Sequence, residues 1–301
     1  MRAAPRRGLS LMFFLGMLLL GILVESAKSQ DTPSVQPPET EHADAPTANP
    51  GRPTVSTPAT LTPVGYLQFE TGVLRAWHSP GISSQSSINE VLKFSVAPRV
   101  ELLVGYEPFA HSSFGRKSSN DKGGVSLGVQ GLLHRGEGVR PTVALSYFHS
   151  VYGGTAPDLD IGSPSNSVLV LTSADVKGFH YDANGFFNEV VDTVTRRAQF
   201  GQSLSVSHGI GGKFGLAGEI WHFTQPFLRG NAFGNLWAVN YNASKTLVFD
   251  GGFNRGLTST SAHWEVFAGF TYLLPRKVGC TDHKKTEPRK ARLQACRSCQ
   301  N

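Results

Sequence analysis

Between Gly65 and Pro275, apolar and polar residues alternate with a period of two through segment after segment, and no stretch of useful length repeats at helical spacing. The run VLKFSVAPRVELLVGYEPF, Val91 to Phe109, shows the pattern. Leu92, Phe94 and Val96 face one way, and Val91, Lys93 and Ser95 the other. After Ala97-Pro98-Arg99, Val100, Leu102, Val104 and Tyr106 oppose Glu101, Leu103, Gly105 and Glu107. A connection this short, with a proline in it, cannot carry a parallel crossover, so the two runs form an antiparallel hairpin. Alternation of this kind fits a soluble β-sandwich or a barrel whose apolar face meets lipid.

The polar face separates the two. A soluble sandwich shows Lys, Glu, Arg and Asp to water, whereas this face is built mostly of Gly, Ser, Ala, Asn and Gln with a few charges, and the apolar face is heavy in Phe, Trp and Tyr. The segment Arg197–His208 is the clearest case: Ala198, Phe200, Leu204 and Val206 alternate with Gln199, Gly201, Ser203, Ser205 and Ser207. Small polar residues suit a crowded lumen, and outward aromatics suit a bilayer. Aromatics expected at strand ends are Trp77, Tyr106, Tyr147 and Trp264 at one rim, and Tyr241 and Tyr272 at the other.

Connection lengths fall into two classes. Ala97-Pro98-Arg99, His208 to Lys213 and Ala243-Ser244-Lys245 are short; Ala110 to Lys122, His149 to Ser165 and Thr224 to Asn231 are longer. Clean alternation gives eleven strands. A twelfth at Ser167 to Asp175, turning at Val176-Lys177-Gly178, makes the number even and keeps every short turn on one side. The expected fold class is therefore all-β: a transmembrane, antiparallel, up-and-down β-barrel of about twelve strands, within limits of ten and fourteen.

The ends of the chain read differently. Met1 to Ser29 has a basic start, an apolar run from Leu9 to Val24 and small residues at Ala27 and Ser29, the pattern of a secretory signal peptide. Residues 30–64 are rich in Pro, Thr, Ala and Ser and poor in apolar residues, which predicts a flexible N-terminal arm. Residues 65–275 form the barrel, and 276–301 a basic tail.

The formal net charge is +6, but four Lys/Arg and one Glu lie in the signal segment and eight Lys/Arg and two acids in the tail, which leaves −3 for residues 30–275. The body has no electrostatic footprint for nucleic acid. All three cysteines, Cys280, Cys296 and Cys299, lie in the tail. With His283 they imitate the spacing of a zinc site, but no apolar pattern around them makes a small core, and incidental thiols on a solvated tail are the plainer alternative. No residue pattern calls for a cofactor.

GRPTVSTPATLTPVGYLQFETGV, Gly51 to Val73, resembles the opening of a family of bacterial outer-membrane barrels, the transporter-like proteins of the phenol-degradation meta-pathway type. WEVFAGFTYLL, Trp264 to Leu274, resembles an outer-membrane closing strand. The resemblance implies an outer-membrane location, delivery by the outer-membrane assembly machinery, and passive uptake of small compounds, hydrophobic or aromatic ones among them. The tail after the last strand departs from the family pattern, in which a terminal aromatic ends the chain.

Three functions follow. A channel or transporter would have the lipid bilayer and a small-molecule permeant as partners and would line its lumen with Glu70, Lys93, Glu101, His180, Asp182, Asn184, Glu219, Asn240, Asp250, Asn254 and Glu265. A structural or adhesion barrel would bind through its loops and keep a closed lumen. A lipid-modifying enzyme would need a nucleophile beside a base; Ser207 and His208 are adjacent but point to opposite faces. The sequence favours the first, without an enzymatic activity.

Overall fold

The computed structural model describes residues 46–159, 164–192 and 194–278. The expected signal peptide, the first part of the arm and the cysteine-bearing tail, with Cys280, His283, Cys296 and Cys299, lie outside the described residues.

Among the described residues thirteen strands follow in chain order: β1 (Leu67–Ser79), β2 (Ile82–Ala97), β3 (Val100–Phe114), β4 (Lys117–Asp121), β5 (Val125–His134), β6 (Thr142–Tyr152), β7 (Asn166–Val176), β8 (Phe179–Asp192), β9 (Thr195–Gly211), β10 (Phe214–Thr224), β11 (Asn231–Asn242), β12 (Leu247–Gly256) and β13 (Trp264–Leu273). Twelve of them close an antiparallel barrel. β1 pairs with β2 on one side and with β13 on the other, from Gln68–Leu273 to Trp77–Trp264, so no sheet edge is left open there. β4 pairs only with β3 and forms a hairpin beyond the barrel wall.

The twelfth barrel strand is where closure requires it. β7 alternates imperfectly because Leu169 and Leu171 face inward, where most inward positions of the barrel are small or polar. It turns into β8 at Lys177 and Gly178, both at positive φ (51° and 83°), the backbone that a two-residue hairpin needs to match the strand twist.

The start of β1, the end of β13 and the turns at residues 98–99, 135–141, 177–178, 212–213 and 243–246 share one rim, the short-turn rim. The opposite, long-loop rim carries the β4 hairpin, the described parts of the β6–β7 connection, the connections 225–230 and 257–263 and the tight turn at 80–81, and β8 and β9 meet there with Asp192 paired to Thr195. The span Ala110 to Lys122, expected as a loop, is mostly strand. Likewise β2 begins at Ile82, nine residues before Val91, where the sequence hides it because Ser83 to Ser87 is polar on both faces and shows no apolar period.

Side-chain exposure follows the alternation. On β9, Phe200 is 50% exposed and Leu204 41%, whereas Gln199, Ser203 and Ser205 are buried, so the wet-looking residues are the inner ones. Trp77 and Trp264 face each other at the long-loop end of the barrel seam, and Tyr241 and Tyr272 lie near the short-turn ends of β11 and β13. Tyr147 is not at an end of its strand: it sits inside β6, its hydroxyl donating to Asn166 on β7.

An arginine at an outward mid-strand position must lose its hydration or distort the bilayer. Leu204→Arg is expected to destabilise the barrel by about 2–4 kcal/mol in denaturant unfolding from lipid vesicles, whereas a polar substitution at inward Ser205 should cost far less.

Candidate functional site

The interior of the short-turn end is not empty. Residues 46–63, expected from composition to belong to a flexible arm, enter the lumen and follow its inner circumference. Ala48 N–H donates to Lys245 O in the β11–β12 turn at the rim. Asn49 N–H donates to Gln68 Oε1 (2.8 Å), and Gln68 returns a bond to Asn49 O (2.7 Å). Gly51 N–H then donates to Glu70 on β1, and Arg52 reaches Asp250 on β12. Val55 and Ser56 meet Glu219 on β10, Ser56 also touches Ser203 on β9, and Ala59 N–H donates to Ser173 on β7. Gln130 on β5 donates to Pro58 O and Ala59 O, and Thr62 ends the circuit at Glu101 on β3 and Ser95 on β2. The contacts visit eight strands in their order around the barrel, so the segment is a ring laid against the wall.

Such a ring has few backbone partners of its own, and buried N–H groups without acceptors are costly. Wall carboxylates supply the acceptors. Glu219, 3% exposed, takes Val55 N–H (2.7 Å), Ser56 N–H (2.6 Å) and Ser56 Oγ–H (2.6 Å). Glu101, 1% exposed, takes Thr62 N–H (2.8 Å) and the Thr62 hydroxyl. Glu70 takes Gly51 N–H (3.0 Å) and an ion pair from Lys93 Nζ (2.6 Å).

Arg52 occupies a recess made by absent side chains. Gly72 on β1 and Gly269 on β13 are directly paired, and a Cβ on either would lie within 2.8 Å of the Arg52 guanidinium group. Asp250, the ladder partner of Gly269 on its other side, receives Arg52 through Nη2 (3.1 Å) and Nε (3.3 Å), a forked contact. The two glycines therefore let the guanidinium lie against the wall beside its carboxylate.

Farther along the wall, Leu169, Leu171, Phe186, Trp221, Phe223, Ala144 and Ala232 form an apolar cluster inside the barrel, and Val55 and Ala59 of the ring pack against it. Trp221 Nε1–H donates to Asn254 (2.8 Å), and Asn254 donates to Glu265 (2.8 Å). At the long-loop rim, Gln85 on β2 donates to Pro157 O (2.9 Å), which draws this part of the β6–β7 connection over β5 and β3 toward β2.

The sequence candidates thus fall into groups. Glu70, Lys93, Glu101, Glu219 and Asp250 are gathered around the ring. Asp182 accepts from Ser173, which itself accepts from Ala59, and His180 bridges Asp175 and Asp182 nearer the rim. Asn254 and Glu265 support Trp221. Asn184 is buried on the inner face of β8 with no hydrogen-bond partner for its amide among the described residues, and Asn240 packs over Gly215. Sequence reasoning missed Arg52, Ser56, Thr62 and Gln130 and the inward aromatics Trp221 and Phe223. The glycines opposite bulky partners, Gly201 with Phe223 and Gly234 with Trp221, are the signal that marks inward aromatics, since each ring lies over its paired glycine. Among the described residues the histidine nitrogens bond Asn120, Asn166, Asp175, Asp182 and Gly178 O, and none bonds a Ser or Thr hydroxyl.

No family model and no curated protein matches the chain by sequence. Among solved structures, the chain is similar to the COG4313 outer membrane channel from Pseudomonas putida F1, with a TM-score of 0.54 at 12% identity, over 72% of this chain and 98% of that one. The NanC porin also matches, with a TM-score of 0.46 at 11% identity, over 68% of this chain and 98% of that one. The fold is that of outer-membrane β-barrels.

Glu219→Ala removes the acceptor for two backbone N–H groups at once and is expected to weaken docking of the ring by about 1–3 kcal/mol. Thermolysin cleavage within residues 48–63 of the refolded barrel should accelerate accordingly, with Glu219→Gln, which keeps an acceptor oxygen, falling between Ala and the native chain.

Proposed function

We propose that the protein is an outer-membrane channel for passive movement of small compounds, with the ring of residues 48–63 setting the bore at the short-turn rim. The observation that carries this reading is the way the ring is held. Side-chain carboxylates and one guanidinium fix it, with no strand pairing to the wall, so the barrel closes without it and its lumen exceeds what the wall side chains fill.

Charge adds a selectivity. Glu70, Glu101, Asp182, Glu219, Asp250 and Glu265 line the interior against Lys93 and Arg52, so the permeation path favours cations over anions. The apolar cluster around Trp221, Phe223 and Phe186 supports permeants with hydrophobic or aromatic parts, in keeping with the resemblance of Gly51 to Val73 to barrels of the phenol-degradation type. A second reading, a structural or adhesion barrel with a closed lumen, is favoured by the burial of inward residues such as Gln130, Gln199 and Ser112 and by the Gln85–Pro157 contact at the long-loop rim.

Single-channel recording in planar bilayers separates the two. The refolded chain should give small, cation-selective steps, and a chain lacking residues 48–63 should give several-fold larger ones. Gly269→Val, which displaces Arg52 from its recess, should shift conductance in the same direction as the deletion. A barrel that inserts but never conducts, with or without the ring, would favour the structural reading.

A further inference from the structure

The outer face of the barrel seam carries a cationic and aromatic patch that the channel reading does not use. Trp77 on β1 and Trp264 on β13 are ladder partners whose rings face outward at the long-loop end. Arg75, two residues before Trp77 on the same face, places its guanidinium carbon 5.4 Å from the Trp77 ring centre. Arg255, at the end of β12, places its own 4.7 Å from the Trp264 ring centre. Just beyond the tryptophans, the rings of His78 and His263 lie 5.6 Å apart; His78 is held at a φ of 56°, uncommon for a residue with a side chain.

Neither arginine has a carboxylate within ion-pair distance among the described residues. Arg255 spends one donor on His263 O (2.7 Å), and Arg75 makes one long bond to the Ser86 hydroxyl (3.4 Å). The outward positions of β12, β13 and β1, and residues 82–88 of β2, contain no Asp or Glu. Each guanidinium therefore keeps several N–H donors without a protein acceptor among the described residues, at the depth where indole rings sit between hydrocarbon and headgroups. An unpaired cation there draws an anion from the surrounding leaflet, and a forked guanidinium fits phosphate oxygens in pairs.

We propose that Arg75 and Arg255, flanking the Trp77–Trp264 pair, form a binding site for the phosphate of a phosphorylated saccharolipid in the outer leaflet. The long-loop rim is the external one in barrels of this kind, and in a bacterial outer membrane that leaflet carries such lipids. The indoles bed the sugar and upper acyl region, the arginines hold the phosphate, and His78 and His263 line the side nearest water.

The test is native mass spectrometry of the refolded full barrel in non-ionic detergent, titrated separately with bisphosphorylated lipid A, its dephosphorylated form and phosphatidylglycerol. The expected result is one tightly retained bisphosphorylated lipid A, with about tenfold or greater loss of affinity in Arg75→Gln/Arg255→Gln, as removal of charge-assisted hydrogen bonds implies. Arg99→Gln, at the opposite rim, should bind as the native chain does. Heat-modifiability on gels shows that each variant is folded; should the double Gln variant not fold, Arg75→Lys/Arg255→Lys keeps the charge, loses the fork and should bind more weakly than the native chain. Equal retention of the dephosphorylated lipid or of phosphatidylglycerol, or undiminished binding by the folded Gln or Lys variant, would overturn the site.

Discussion

A chain segment without regular structure can lie inside a barrel only if the wall answers its backbone donors. Strand pairing consumes the wall's own N–H and C=O groups, so the acceptors must be side chains that reach inward. Glu70, Glu101 and Glu219 do this for Gly51, Val55, Ser56 and Thr62, Gln68 and Ser173 accept from Asn49 and Ala59, and Gln130 donates in return to the carbonyls of Pro58 and Ala59. The buried charges that look anomalous in a strand pattern are thus the ones that seat the ring. Lys93 and Arg52 offset two of the carboxylates, and the ion pairs sit where removing either partner would strand a buried charge.

The barrel itself was legible because its signal is local. Period two can be read from eight or ten residues, as in Arg197–His208, and the even strand number forced by closure located β7 despite its mixed pattern. Where both faces are polar, as in Ser83–Ser87, alternation carries no contrast and the strand disappears from view. The ring was illegible for a different reason. Its composition is that of an unfolded arm, and what orders it is supplied by residues from Gln68 to Asp250, none of which can be assigned to it by spacing.

The candidate lumen residues show the same division. Facing inward could be read for Glu101 or Asp250 from parity alone, but not the partner each would meet. Arg52 illustrates the limit: its place depends on two glycines, Gly72 and Gly269, brought together by barrel closure from opposite ends of the chain. The same closure sets Trp77 against Trp264 on the outside, so one seam serves an internal cation and an external cationic patch.

The most direct measurement of the central claim is disulfide trapping of the ring to the wall. With the three tail cysteines replaced by serine, Ser56→Cys/Ser203→Cys places two thiols where the hydroxyls stand 2.8 Å apart. If the ring is seated as described, mild oxidation of the folded barrel will join them in high yield and protect both from a membrane-impermeant maleimide. Rapid labelling of both thiols with no cross-link would show that residues 48–63 do not line the lumen, and would contradict the account.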